Sequence, residues 1–215
     1  MPFFKTIMPR IILLMGGPGT GKSFIASKFT NTCSHISTGE ILRGVVNNTA
    51  HPEALKIAAI MRRGDLVPDH TVVQLLGNHP ALRSNKPILL DGFPRTMPQW
   101  MLYQQQFGAP TAVIHFMLSR EEMRARLHAR RRSDDNLDAI EHRIDEYFNS
   151  IASVGEEIKN QCQGKVSVIN TDATPEVVCA RFDNALKLHL EPKHTTPVST
   201  EAEEEIAARI RIARI

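Results

Sequence analysis

Five apolar residues, Ile11 to Met15, run directly into Gly16-Gly17-Pro18-Gly19-Thr20-Gly21-Lys22-Ser23, and this junction constrains the chain more than any other stretch. An apolar run of that length reads as a strand buried in a parallel sheet, and Phe24 to Phe29 can begin a helix. Strand, glycine loop and helix in that order are what a phosphate-binding loop requires. The glycines let the backbone fold back so that successive N–H groups face one cavity at the positive end of a helix dipole. Lys22 supplies a mobile cation for outer phosphates, and Ser23 a hydroxyl suited to Mg²⁺. The pattern predicts a nucleoside triphosphate site.

A chain of 215 residues with 42% hydrophobic content fits one domain with a substantial core. Its net charge of +3 is mild, but Arg124, Arg126, Arg130, Arg131 and Arg132 crowd together, which beside a phosphate loop predicts a phosphate clamp. Aromatic residues make up only 6% and do not alternate with the basic ones, so a stacking surface for nucleic acid is not expected. Cys33, Cys162 and Cys179 are widely spaced and include no Cys-x-x-Cys pair, which suits reduced thiols rather than a disulfide framework or zinc site. No apolar run is long enough to cross a bilayer, and neither end carries a signal, prenylation or peroxisomal pattern. A cytoplasmic protein without membrane or nucleic-acid partners is expected.

β-rich apolar runs recur at 11–15, 88–90, 112–117 and 166–169, separated by stretches with helical spacing. Ala54, Ile57, Ala58 and Met61 mark one helix, and Val72, Val73, Leu75 and Leu76 another. Met123 and Leu127 share a side of a third, and Ile140, Ile144, Tyr147, Phe148 and Ile151 form a stripe on a fourth. Alternating strands and helices predict an α/β fold, a parallel sheet with helices on both faces. After Leu190 a Pro- and Thr-rich linker leads to a segment, Glu201 to Ile215, with acids first and arginines last, as a helix dipole favours. The expected organisation is a domain over 1–190 and a linker with a helical tail over 191–215.

A second set of residues exceeds what a plain ATPase needs. Ser37-Thr38-Gly39-Glu40-Ile41-Leu42-Arg43 offers a helix cap and an arginine on the first turns. Gly64-Asp65-Leu66-Val67-Pro68-Asp69 comes next, and Ile88-Leu89-Leu90-Asp91-Gly92-Phe93-Pro94-Arg95 then runs from a buried strand into a loop. Ligands of open parallel sheets lie at the carboxyl ends of strands, which places Asp91 and Arg95 near the phosphates.

On these motifs residues 10–190 resemble, in unbroken order, the adenylate kinases of the nucleoside monophosphate kinase family. The resemblance implies a five-stranded P-loop core (10–36, 69–129 and 137–190), a helical NMP-binding insert (37–68) and a very short lid (130–136). It implies ATP contacts from Gly17, Pro18, Gly19, Thr20, Gly21, Lys22, Ser23, Arg126 and Ala173. For AMP it implies Thr38, Arg43, Asp65, Leu66, Val67, Gly92, Arg95, Gln99, Arg132 and Arg143. Lys22, Asp91, Arg95, Arg130, Arg132 and Arg143 are its catalytic set, with Mg²⁺ held by Ser23 and, through water, by Asp91. The implied reaction is ATP + AMP ⇌ 2 ADP, carried out by a monomer.

Phosphoryl transfer is catalysed mainly by positioning and by neutralising charge on equatorial oxygens, so many cations and no separate base are expected. Arginine suits this work because its planar fork grips phosphate bidentately and stays charged. Threonine at 38 and glutamine at 99 match the AMP pattern, where UMP/CMP kinases resemble it with alanine and asparagine. A UMP/CMP kinase on this scaffold, or a catalytically weak nucleotide-binding scaffold protein, are the alternative readings. Three features depart from the family. Glu40 replaces an aspartate expected near Mg²⁺-bound water, only Arg131 separates Arg130 from Arg132, and the tail has no counterpart. With so tight a lid, the helix carrying Arg130 is expected to end there, and Asp135 to cap the helix that carries Arg143.

Overall fold

The computed structural model describes residues 9–130, 132 and 135–191. The predicted tail at 201–215, and Arg131, Ser133 and Asp134 of the predicted lid, lie outside the described residues. Five parallel strands, β1 (Ile11–Met15), β2 (Ser34–Ser37), β3 (Ile88–Asp91), β4 (Ala112–Met117) and β5 (Val166–Asn170), form one sheet in the order β2-β3-β1-β4-β5. Every residue of β1 and β3 is buried, as expected of central strands covered on both faces. The five-stranded parallel α/β fold expected from the sequence is therefore present.

The helices are α1 (Lys22–Ser27), α2 (Thr38–Asn47), α3 (Ala54–Arg63), α4 (Asp69–Gly77), α5 (Met97–Phe107), α6 (Arg120–Arg130), α7 (Leu137–Glu146), α8 (Ala152–Gln161) and α9 (Pro175–Leu190). One face of the sheet, through Ile11, Leu13, Leu90 and Val113, packs against Trp100 and Tyr103 of α5 and Ile158 of α8. The opposite face, through Ile12, Leu14, Ile114 and Phe116, packs against Ile25 of α1 and Phe182 of α9. Trp100 and Tyr103 stack at 5.4 Å, and the Trp100 indole N–H donates to Gln161, which satisfies the polar end of a buried ring.

Register decides where the chemistry sits. Leu14 of β1 and Ser37 of β2 both lie opposite Asp91 of β3, so one end of the sheet presents Asp91, Ser37 and the phosphate loop together. Helices α2 and α3 stand over this end, and α6 and α7 flank it. Gly16 has φ +131°, and a Cβ there would lie 2.3 Å from the Phe116 carbonyl oxygen. No side chain fits that exit from β1.

Two local expectations change. Asn136, not Asp135, caps α7, its side-chain oxygen accepting from the Ala139 N–H at 2.8 Å. The stripe assigned to Tyr147 and Phe148 also breaks, because Tyr147–Ile151 is a π-helical turn between α7 and α8. One wide turn shifts the helical phase, so Ile144 and Tyr147 face inward while Phe148 is 42% exposed. Phe148 then meets the Arg120 guanidinium, 4.7 Å from its ring centre, and the edge of Tyr147, with ring centres 5.1 Å apart. Ile144→Ala should cost about 2–5 kcal/mol of unfolding free energy. Phe148→Ala should cost about 1 kcal/mol or less. Urea titration distinguishes them, and equal losses would place both side chains in the core.

Candidate active site

A cavity of about 440 Å³ opens at the carboxyl end of the sheet. The phosphate loop, α2, the loops after α3 and β3, and α6 to α8 all contribute to its lining. Lys22, Arg43, Arg95, Arg126, Arg130, Arg132 and Arg143 line it against only three carboxylates, Asp65, Asp91 and Glu146. That imbalance in a partly closed chamber selects for a polyanion.

The loop binds its own lysine. Lys22 Nζ donates to the Gly16 and Gly17 carbonyls at 2.8 Å each and to Thr20 Oγ1 at 3.0 Å. Burial pushes the ammonium down to about 8, with Asp91 opposing the shift and Arg95, Arg130 and Arg132 reinforcing it. Ser23 Oγ donates to Asp91 Oδ2 at 2.5 Å. Burial pushes the Asp91 carboxyl up, but His35, Lys22 and Ser23 together outweigh it and hold the group below its usual value. His35 Nε2 lies 3.7 Å from Asp91 Oδ2, too far for a direct hydrogen bond.

At the other side of the cavity Ser37 caps α2, accepting from the Glu40 N–H, which starts the helix that presents Arg43. Thr38 Oγ1 donates to the Gly92 carbonyl at 2.9 Å, and Arg95 Nε donates to the same oxygen at 2.9 Å. Gly92 has φ +79°, and a Cβ there would fall 2.7 Å from Thr38 Oγ1, so only glycine lets β3 turn beneath α2. Gln99 is buried at 2% exposure and lines the cavity.

Among the lid arginines the organising group is one that sequence reasoning assigned elsewhere. Asp135, whose side chain is 2% exposed, accepts from Arg130 Nε at 2.8 Å, Arg130 Nη2 at 2.7 Å and Arg143 Nη1 at 2.7 Å. The Arg132 backbone N–H also points to it at 3.3 Å. Burial pushes this carboxyl up, yet the Arg130 and Arg143 guanidiniums hold it below its ordinary value. One buried carboxylate therefore gathers the Arg130 and Arg143 guanidiniums. Two adjacent acids, Asp134 and Asp135, shortly after three consecutive arginines were the signal in the sequence for such a role.

Of the residues expected at the site, Pro18 to Ser23, Thr38, Arg43, Asp65 to Val67, Asp91, Gly92, Arg95, Gln99, Arg126, Arg130, Arg132 and Arg143 all line one cavity. Gly17 does not; it backs onto Met123 and Tyr147 and contributes its carbonyl to Lys22. Ala173 packs against the core under α9, while the carbonyl of neighbouring Thr171 accepts from Arg126 Nη2 at 2.9 Å. Glu40 is exposed and outside the lining, so its extra methylene lies away from the chamber. His115, which no sequence pattern singled out, and Tyr147, read from the sequence only as part of a helix's apolar stripe, form part of the wall. Their facing polar atoms are 3.4 Å apart, and burial keeps the His115 imidazole neutral by pushing it down to about 4.

Ser23 and Asp91 offer the oxygen donors that Mg²⁺ takes. No cluster of three or more His, Cys, Asp or Glu among the described residues would hold an ion unaided, so such an ion depends on phosphate oxygens for the rest of its shell.

The protein-family profile described as adenylate kinase matches residues 14–163. Adenylate kinase isoenzyme 1 of Gallus gallus is 31% identical over 177 residues, covering 79% of this chain and 90% of that protein. Adenylate kinase 1 of Schistosoma mansoni is 30% identical over 191 residues, covering 85% of this chain and 95% of that protein. Adenylate kinase isoenzyme 5 of Mus musculus is 33% identical over 185 residues; the match covers 82% of this chain but only 32% of that longer protein.

Two outcomes test the geometry. A polyphosphate seated in the loop must raise the Lys22 pKa above about 8, so near pH 8 its binding takes up about half a proton. Calorimetry with tripolyphosphate in buffers of different ionisation enthalpy measures this uptake, which should vanish in Lys22→Met. Asp135→Ala leaves two clustered guanidiniums without their buried partner and should cost about 3–5 kcal/mol of stability. A loss under 1 kcal/mol on denaturant unfolding would show that the cluster does not depend on Asp135.

Proposed function

The chain belongs to the adenylate kinase family, and on that premise we propose that it transfers the γ-phosphoryl group of ATP to AMP, giving two ADP. The observation that carries the reading is the single cavity into which the phosphate loop and the Arg43–Arg95–Gln99 side both open. Two nucleotide sites sharing one chamber allow direct transfer without a covalent enzyme intermediate.

The backbone of Gly19 to Ser23 and the Lys22 ammonium take the triphosphate, with Arg126 and the Thr171 region on its base side. Lys22 exchanges its carbonyl partners for phosphate oxygens, whose negative charge opposes the lowering of its pKa by burial. Arg43 and Arg95 hold the monophosphate, and Gln99 meets its base. An oxygen of the AMP phosphate forms the new bond to the γ-phosphorus, and the bond from that phosphorus to the β,γ-bridging oxygen breaks. The attacking oxygen is already anionic, so no proton has to move. Arg130, Arg132 and Arg143 neutralise charge on the equatorial oxygens during transfer. Mg²⁺ bound with the triphosphate would be held by Ser23 and, through water, by Asp91, and would add neutralisation of phosphate charge.

Thr38 and Gln99 support AMP over UMP or CMP, and the retained set of cations argues against a catalytically weak scaffold. Three free thiols, at Cys33, Cys162 and Cys179, support a reducing, cytoplasmic setting. No helix among the described residues is long and apolar enough to cross a membrane. Both sites lie within one chain, which supports action as a monomer.

A coupled assay with ATP and magnesium, offering AMP, UMP, CMP and GMP separately, tests the reading. ADP should form rapidly with AMP, and robust turnover of UMP or CMP with none of AMP would overturn it. Lys22→Met should lower kcat on the order of 10²–10³-fold.

A further inference from the structure

Gln99 does not hang free in the cavity; its amide is held from two sides. The Arg95 backbone N–H donates to Gln99 Oε1 at 2.8 Å, and Gln99 Nε2 donates to Asp69 Oδ1 at 2.8 Å. Thr96 ties the two ends together, its hydroxyl donating to the same Asp69 oxygen at 3.1 Å while accepting the Gln99 backbone N–H at 3.2 Å. A backbone N–H can only donate and a carboxylate can only accept, so these partners fix which end of the amide is oxygen and which is nitrogen. Rotating the amide by half a turn would set two donors against each other at Arg95 and two acceptors against each other at Asp69.

A primary amide has two N–H donors and two oxygen lone pairs, and the circuit uses one of each. One N–H and one lone pair remain for a base in the cavity. A 6-aminopurine presents the complement: a ring nitrogen that accepts beside an exocyclic amine that donates. A 6-oxopurine bound in the same pose presents a ring N–H beside a carbonyl and meets like with like at both positions. A cytosine edge carries the same acceptor–donor pair as adenine, whereas uracil carries the reverse.

We propose that Asp69 is a positioning residue that locks the Gln99 amide and thereby restricts the monophosphate site to bases whose facing edge sets a ring acceptor beside an exocyclic amine, as adenine and cytosine do, rejecting IMP, GMP and UMP. The inference rests on the reading of this side of the cavity as the AMP site. Asp69 acts through Gln99, not on the substrate. Desolvated polar groups left facing the wrong partner exclude analogues far more strongly than a missing apolar contact does.

Wild type should prefer AMP to IMP by at least about a hundredfold in kcat/KM, with CMP ahead of UMP among the poorer substrates. Asp69→Asn can present either an oxygen or an N–H to Gln99, so it should narrow the AMP-to-IMP ratio by about tenfold or more. A purely structural role for Asp69 would lower both activities together and leave the ratio unmoved, which overturns the lock. If Asp69→Asn does not fold, wild type still decides: IMP turnover within tenfold of AMP overturns the lock, and a hundredfold gap supports it. Equilibrium binding of AMP and IMP to wild type separates this inference from the reaction itself. Discrimination in binding without phosphoryl transfer keeps the lock and overturns the kinase reading. Equal binding alongside rapid AMP turnover does the reverse.

Discussion

Seven cationic side chains face one cavity, and their mutual repulsion is the constraint that the rest of the site answers. Like charges 4 Å apart repel by about 4 kcal/mol at the effective dielectric of a protein surface, so such a cluster needs fixed anions or fixed dipoles to persist. Asp91 and Asp135 are those anions, both buried. Asp91 sits among Lys22, Ser23 and His35, and Asp135 holds Arg130 and Arg143. Lys22 is meanwhile held by loop carbonyls. The protein has thus assembled the groups that neutralise a polyphosphate before any polyphosphate enters, and reorganisation during the reaction is correspondingly small.

The fold supplies this arrangement through register. Because Asp91, Leu14 and Ser37 sit at one level of a parallel sheet, the loops after β1, β2 and β3 leave from one edge and share one space. The phosphate loop comes from the first, Thr38 and Arg43 from the second, and Arg95 and Gln99 from the third. Helices α3 and α7 then join the two flanks, with Arg143 Nη2 donating to the Met61 carbonyl at 3.0 Å and Asn136 Nδ2 to the Arg62 carbonyl at 2.9 Å.

Four of the five strands were legible because each is a run rich in apolar β-formers, although β4 includes His115 and β5 includes Ser167. β2, Ser34-His35-Ile36-Ser37, carries one aliphatic side chain and shows no such run; its strand character comes from pairing with β3. The phosphate loop was legible for a similar reason, since local glycine and lysine spacing determines its shape. The π turn at Tyr147–Ile151 was not, because periodicity assumes one constant helical pitch. Nor were the roles of Asp69 and Asp135, which depend on partners brought close by tertiary folding. Asp69 meets residues 27 and 30 positions away. Asp135 read locally as a helix cap, but Asn136 beside it took the cap and left the carboxylate to the arginines.

The central claim is that two nucleotide sites meet, phosphate to phosphate, in one chamber. Two adenosines joined by five phosphates would fill both sites at once and gain the effective concentration that linkage provides. Titration calorimetry of this molecule against ATP and AMP alone measures that gain directly. Binding at one molecule per chain, tighter than ATP by about a hundredfold or more, is the predicted result. Affinity no better than that of ATP, or two molecules bound per chain, would contradict it.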